Sequence, residues 1–245
     1  MIEVPYVEIS TARLIRERIE LARATGENVA ITGAAGVGKT WALENYVAST
    51  RKAYFFSVSA ALGKSAGALF GLICEEIGYS KEVSPAATLR WIRSHFHNYC
   101  YDHQAVLIFD EAQNIKLATL RDLLTITDER QSGVTIVFSG NEHVLKVVNA
   151  AKHGFEQIGR RIQFRLNVNC ITHEDADLVA GAFGVTDKAS LRMLREIGDG
   201  AHIAGVVTVL KLAHQLAGEG SAIETSHIRS AIELFPQYQS TLCGA

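Results

Sequence analysis

The sequence predicts an α/β fold, a three-layer αβα arrangement around a parallel sheet, followed by a small all-helical domain. Three observations predict it. Short apolar runs at 28–33, 105–110 and 134–140 alternate with helix-length stretches, as expected for strands covered on both faces. A glycine-rich turn follows the first of these strands and opens a helix. Beyond about residue 170 strand-like runs cease and only helical stretches remain.

Each element has its own justification. Residues 11–25 place Leu14, Ile15, Ile19 and Leu21 near one helical face, with Arg and Glu opposite, and Gly26 ends that helix. A strand at 28–33 runs into the turn, and a helix covers about 39–48. The aromatic and β-branched segment 53–60 is the second strand. Helices are expected at about 65–77 and 85–101, the latter opening on Ser84 and Pro85 as cap and first-turn pair. Strands 105–110 and 134–140 flank a helix at about 116–130, and a shorter strand at 162–168 closes this portion. Helices at about 173–183, 187–197, 201–217 and 225–235 follow, with breaks at Gly184, Gly198 and 218–220. The expected division is a lead-in helix over 1–26, a core over 27–170 and a helical domain over 171–245.

Composition narrows the function classes. In 245 residues, 48% are hydrophobic and 20% charged, which excludes disordered and fibrous chains and allows a full core without disulfides. Cys74, Cys100, Cys170 and Cys243 lie far apart with no metal-ligand spacing, and read as reduced thiols. No apolar run approaches the ~20 residues of a membrane span, and the N-terminal stretch has no secretory pattern, so a cytoplasmic protein is expected. With 24 Lys plus Arg against 26 Asp plus Glu, bulk charge gives no attraction to nucleic acid. Any such binding must be local or built by assembling copies.

The strongest motif is 33-GAAGVGKT-40, which fits GxxxxGK[ST] between a strand and a helix. Its glycines turn backbone N–H groups inward around phosphate oxygens, with the helix dipole behind them. The expected nucleotide-binding set is Gly33, Ala34, Ala35, Gly36, Val37, Gly38, Lys39, Thr40 and Trp41. Lys39 supplies charge to the β and γ phosphates and the Thr40 hydroxyl can ligate Mg²⁺. Seventy residues on, 106-VLIFDEAQ-113 ends a strand with Asp110, placed to hold the metal, and Glu111, placed to polarise water. An adjacent acidic pair argues for a strand-inserted ATPase rather than a small-molecule kinase or Ras-like GTPase. The run 138-FSGNEH-143 puts Ser139 and Asn141 at the end of the next strand. Asn141 either reaches the γ-phosphate or caps the following helix, and the two roles are compatible.

These elements, in this order, resemble the Walker A, Walker B and sensor 1 elements of the AAA+ ATPases. More narrowly, 6-YVEISTARLIRERIELA-22, 33-GAAGVGKTWALENY-46, 155-FEQIGRRIQFRLNV-168 and 207-VTVLKLA-213 resemble the Mu-type family of target-DNA-capturing transposition ATPases. The resemblance implies an ATP- and Mg²⁺-dependent ATPase domain with a helical lid, self-assembling into a ring or helical filament. In such an assembly an Arg of one subunit reaches the nucleotide of the next. Arg161, with Arg160 beside it, stands at the matching place; the alternative is that the pair forms with Arg165 a solvated basic edge or contacts DNA phosphate.

The implied partners are double-stranded DNA, bound largely without sequence preference, and a transposase, with no membrane involvement. The implied activity is target capture and transposase activation, ended by hydrolysis; the alternatives are a helicase loader or secretion-associated ATPase, or a non-hydrolysing scaffold, against which Glu111 argues. Lys64, Lys146 and Lys152 are the candidate DNA contacts. Two departures stand out. The lid segment 198-GDGAHIAG-205 offers His202 where such lids carry an Arg, so either His202 substitutes or lid sensing is missing. The N-terminal helix-turn-helix domain that the resemblance would imply is not expected here, since the resembling segment starts at residue 6.

Overall fold

The computed structural model describes residues 5–79, 84–99, 105–127, 133–144, 156–218 and 220–239. It divides into two compact units. One contains the described residues of Leu14–Gly33 and Thr40–Val168; the other contains those of Met1–Arg13, Ala34–Lys39 and Asn169–Ala245.

The first unit is built on a five-stranded, all-parallel sheet. Its strands are β1 (Val29–Gly33), β2 (Ala53–Ser57), β3 (Ala105–Asp110), β4 (Val134–Gly140) and β5 (Phe164–Val168), in the order β2-β3-β4-β1-β5. Every residue of β1, β3 and β4 is buried, as their unbroken apolar runs demand. Phe56, Phe109 and Phe138 stack across β2, β3 and β4, with centroids 5.2 and 5.8 Å apart. Strand alternation sends Val106, Ile108 and Val137, also buried, to the opposite face.

Helices α1 (Ser10–Thr25), α2 (Lys39–Ser49), α3 (Ala66–Glu76), α4 (Pro85–Tyr99), α5 (Leu117–Leu124) and α6 (Glu156–Arg161) intervene between the strands or precede them. Leu69 and Ile73 of α3, Ile92 and Phe96 of α4, and Leu120, Leu123 and Leu124 of α5 pack in one core with the three stacked rings. The Ser84 hydroxyl accepts from the Ala87 amide at 3.4 Å, the cap expected at α4. Across α1 and α2, Tyr46 donates its hydroxyl to Glu20 at 2.6 Å, and Arg23 donates to both.

Three local expectations are corrected here. On α1 the buried stripe is Ala12, Ile15, Ile19 and Ala22, whereas Leu14 and Leu21 are 45% and 49% exposed. At 3.6 residues per turn, positions 15, 19 and 22 align, while 14 and 21 fall on the flank. The helix expected at 116–130 is α5 plus a 3₁₀ turn, Thr125–Thr127; its last three residues lie outside the described set. The strand expected from 162 starts at Phe164, because the helix before it runs through Arg161.

The second unit carries α7 (His173–Ala182), α8 (Lys188–Ala217) and α9 (Thr225–Glu233). Thr172 and Asp175 form a capping box at α7, with bonds of 3.1 and 2.9 Å. Asp175, 2% exposed, also accepts from the Ser10 amide and hydroxyl, both at 2.6 Å. Asp187 caps α8 through the Ser190 amide and accepts from the Thr225 hydroxyl, which ties the start of α9 to it. Gly198 does not break this segment, contrary to expectation. Hydrogen bonding continues through it, and the kink falls at His202, with φ 56° and ψ −161°.

Candidate nucleotide site

The loop after β1 owes its shape to Gly36 and Gly38, whose φ values of +83° and +95° side-chain-bearing residues avoid. Lys39 begins α2 and donates from Nζ to the Ala34 carbonyl at 2.8 Å, curling over the loop. Ala34, Gly36, Gly38 and Lys39 are half-buried, Val37 is fully buried and Ala35 is exposed. The Gly36 carbonyl accepts from the Ala204 amide at 3.0 Å. A Cβ at Gly36 would lie 3.1 Å from Ala204 Cβ and 3.4 Å from the Ala201 carbonyl oxygen, so the loop glycine packs directly on the kinked part of α8.

Thr40, in the first turn of α2, donates its hydroxyl to Asp110 Oδ2 at 2.6 Å. Asp110 is only 2% exposed at the end of β3. Trp41 follows, half-buried. A hydroxyl and a carboxylate are the hard oxygen donors Mg²⁺ takes when it fills its other positions with water and phosphate, so the residues present fit that ion.

Glu111 adopts the left-handed conformation (φ 56°, ψ 36°) with its side chain exposed. Gln113 connects it to the neighbouring strand: its Nε2 donates to Glu111 Oε2, and its Oε1 accepts from the Asn141 amide at 3.3 Å. Gly140 makes this possible, since a Cβ there would stand 2.1 Å from Gln113 Oε1. Asn141 Oδ1 accepts from the His143 amide at 2.9 Å, so the capping alternative holds for residues 142–144. Ser139, fully buried in β4, is without a hydrogen-bond partner among the described residues.

Arg160 and Arg161 lie elsewhere. Val29 pairs with Phe164 and Gly33 with Val168, so the arginines, preceding Phe164, belong to the end of the sheet opposite Gly33 and Asp110. A five-residue strand rises roughly 3.3 Å per residue, which puts about 13 Å between those ends. Arg161 is half-buried and Arg160 exposed. Lys64 is exposed at the end of a 3₁₀ turn, whereas Lys146 and Lys152 fall outside the described residues. At His202, Nδ1 is buried without a hydrogen-bond partner among the described residues.

Sequence reasoning passed over Gln113 and Asn28. Gln113 lay inside the quoted acidic motif but carries no chemistry of its own. Asn28 gave no signal beyond its position at a strand start.

Strand β4 stands between the loop-bearing β1 and the acid-bearing β3, with all strands parallel, and this defines a P-loop nucleotide-binding domain of the strand-inserted kind. The AAA domain profile matches residues 22–148, just over half of the 245-residue chain, and the chain belongs to that family. It is 25% identical over 201 residues to the Mu-like prophage FluMu DNA transposition protein B of Haemophilus influenzae, covering 80% of this chain and 68% of that protein. It is 23% identical over 234 residues to the ATP-dependent target DNA activator B of Escherichia phage D108, covering 92% and 72%. Among solved structures it is similar to the ORC2 protein of Aeropyrum pernix in ADPNP–ADP complexes, with a TM-score of 0.68 at 17% identity, over 94% of this chain and 68% of that one. That likeness is one of fold.

Proposed function

We propose that this protein is an Mg²⁺-dependent ATPase of DNA transposition that assembles on double-stranded DNA with ATP, captures target DNA, activates a transposase, and is released by hydrolysis. The observation that carries the ATPase reading is the Thr40–Asp110 bond with Glu111 next in sequence. The DNA reading rests on the relatives named as transposition protein B and target DNA activator B.

In this reading the amides of 33–40 take the phosphates and Lys39 adds positive charge to them. Magnesium held through Thr40 and Asp110 would neutralise charge on the β and γ phosphates. Glu111, released from Gln113, orients the water that attacks the γ-phosphorus, giving ADP and phosphate. Asn141 reads the γ-phosphate from the β4 end. Arg161, aided by Arg160, serves the nucleotide of a neighbouring subunit, a role its place at the far end of the sheet supports. The chain divides functionally into a lead-in (1–26), an ATPase core (27–170) and a lid (171–245), and it works in the cytoplasm.

Electron microscopy with double-stranded DNA, comparing ATP, ADP and no nucleotide, tests the whole reading. A DNA-bound ring or filament is expected with ATP only. Equal assembly in all three states would refute it.

A further inference from the structure

We infer that Asn28 is a positioning residue for the arginine pair, a buried amide that sets where Arg161 is presented to a neighbouring subunit. The inference rests on the trans role proposed above for Arg161.

Asn28 is 4% exposed, a depth at which an unbonded amide is costly. Both its amide donors and its amide oxygen are directed at converging elements. Its Nδ2 donates to the Arg161 carbonyl at 2.9 Å and to the Thr127 hydroxyl at 3.0 Å, while its Oδ1 accepts from the Ile136 amide in β4 at 2.9 Å. Its own carbonyl accepts from the Phe164 amide at 3.2 Å, at the start of β5. One residue therefore joins the end of α6, the turn after α5, strand β4 and the start of β5.

The Arg161 carbonyl is one of those a helix C-terminus leaves without an intrahelical donor. Asn28 supplies that donor from the rigid sheet. The adjacent Arg160 carbonyl is taken in the same way by Gln163 Nε2, at 2.6 Å. With Ile158 and Ile162 anchored in the core on either side, the last turn of a six-residue helix is fixed at both arginines. A rigid backbone origin is what a long side chain requires if it is to meet a phosphate across a subunit boundary. Misplacement of about 1 Å can cost roughly a hundredfold in rate.

The test uses the full-length protein with double-stranded DNA and ATP. Asn28→Asp keeps the shape and the acceptor for Ile136 but loses the donor to Arg161; Asn28→Ala removes both. Either is expected to bind an ATP analogue like the parent and to lose about ten- to a hundredfold in turnover. Mixing it with Glu111→Gln subunits, which keep their arginines, should restore turnover, and mixing it with Arg161→Ala subunits should not. Parental turnover of the Asn28 variants, or equal rescue by both partners, would overturn the inference. Loss of folding and nucleotide binding in both variants would also overturn it, by assigning Asn28 to fold stability alone. The trans role itself is checked separately by mixing Arg161→Ala with Glu111→Gln. Without rescue there, that role fails; with rescue but unaffected Asn28 variants, only the present inference fails.

Discussion

Lys39 donates from Nζ to the Ala34 carbonyl at 2.8 Å, within the loop that the proposed reading gives to the phosphates. Hydrogen bonds to charged groups contribute about 1.5–3 kcal/mol, so Lys39→Ala is expected to weaken ATP binding by at least roughly ten- to a hundredfold, measured by titration calorimetry. Unchanged affinity would remove Lys39 from the site. Glu111, exposed, left-handed in backbone and bonded by Gln113, has in the proposed reading a part in hydrolysis rather than in binding. Glu111→Gln should retain ATP, lose about 10²–10⁴ in turnover and accumulate the DNA-bound assembly. Normal phosphate release by that variant would reassign the base.

At the scale of elements, helix α8 is the informative one. A φ of 56° with ψ of −161° is a region occupied almost only by glycine and costs about 1–3 kcal/mol for other residues. His202→Gly is therefore expected to raise unfolding stability by about 1 kcal/mol or more in urea denaturation. A loss of stability would mean that contacts of the imidazole outweigh the strain. Helix α7 makes the opposite case. Burial acts to raise the Asp175 carboxyl, but hydrogen bonds from Ser10 and Thr172 outweigh it and hold the group below the usual carboxylate range. A depressed folded pKa stabilises above the unfolded value of about 3.9, and that contribution disappears as pH falls through the folded value. Asp175→Asn should thus cost about 1–3 kcal/mol at pH 7 and progressively less below about pH 4, read from denaturation midpoints at both pH values. A cost independent of pH would show that shape, not charge, is what Asp175 contributes.

On the scale of the whole molecule, a formal net charge of −2 means that a lone subunit has little electrostatic hold on DNA. Retention on DNA is expected to require ATP-driven assembly and to fall steeply between about 50 and 200 mM salt, as repeated phosphate contacts predict. Tight, salt-insensitive binding by the nucleotide-free protein in filter or anisotropy assays would contradict this. No helix among the described residues is long and apolar enough to cross a membrane.

The phosphate loop, the strand-end acids and the alternation of strands with helices were legible because each is local. A glycine pattern, a run of consecutive apolar residues or a neighbouring acidic pair carries its physics within a few positions of chain. The sequence thereby determined the AAA+ architecture and the residues around Thr40 and Asp110. Relations between distant segments were decided by the tertiary structure alone. The folded chain shows that Arg161 stands at the far end of the sheet from its own Asp110, that Asn28 reaches the Arg161 carbonyl 133 positions away, and that Gln113 joins Glu111 to Asn141. The kink moved from Gly198 to His202 for the same reason. A helix accommodates a glycine at modest cost, whereas a non-glycine residue is held in a glycine conformation only by the packing around it.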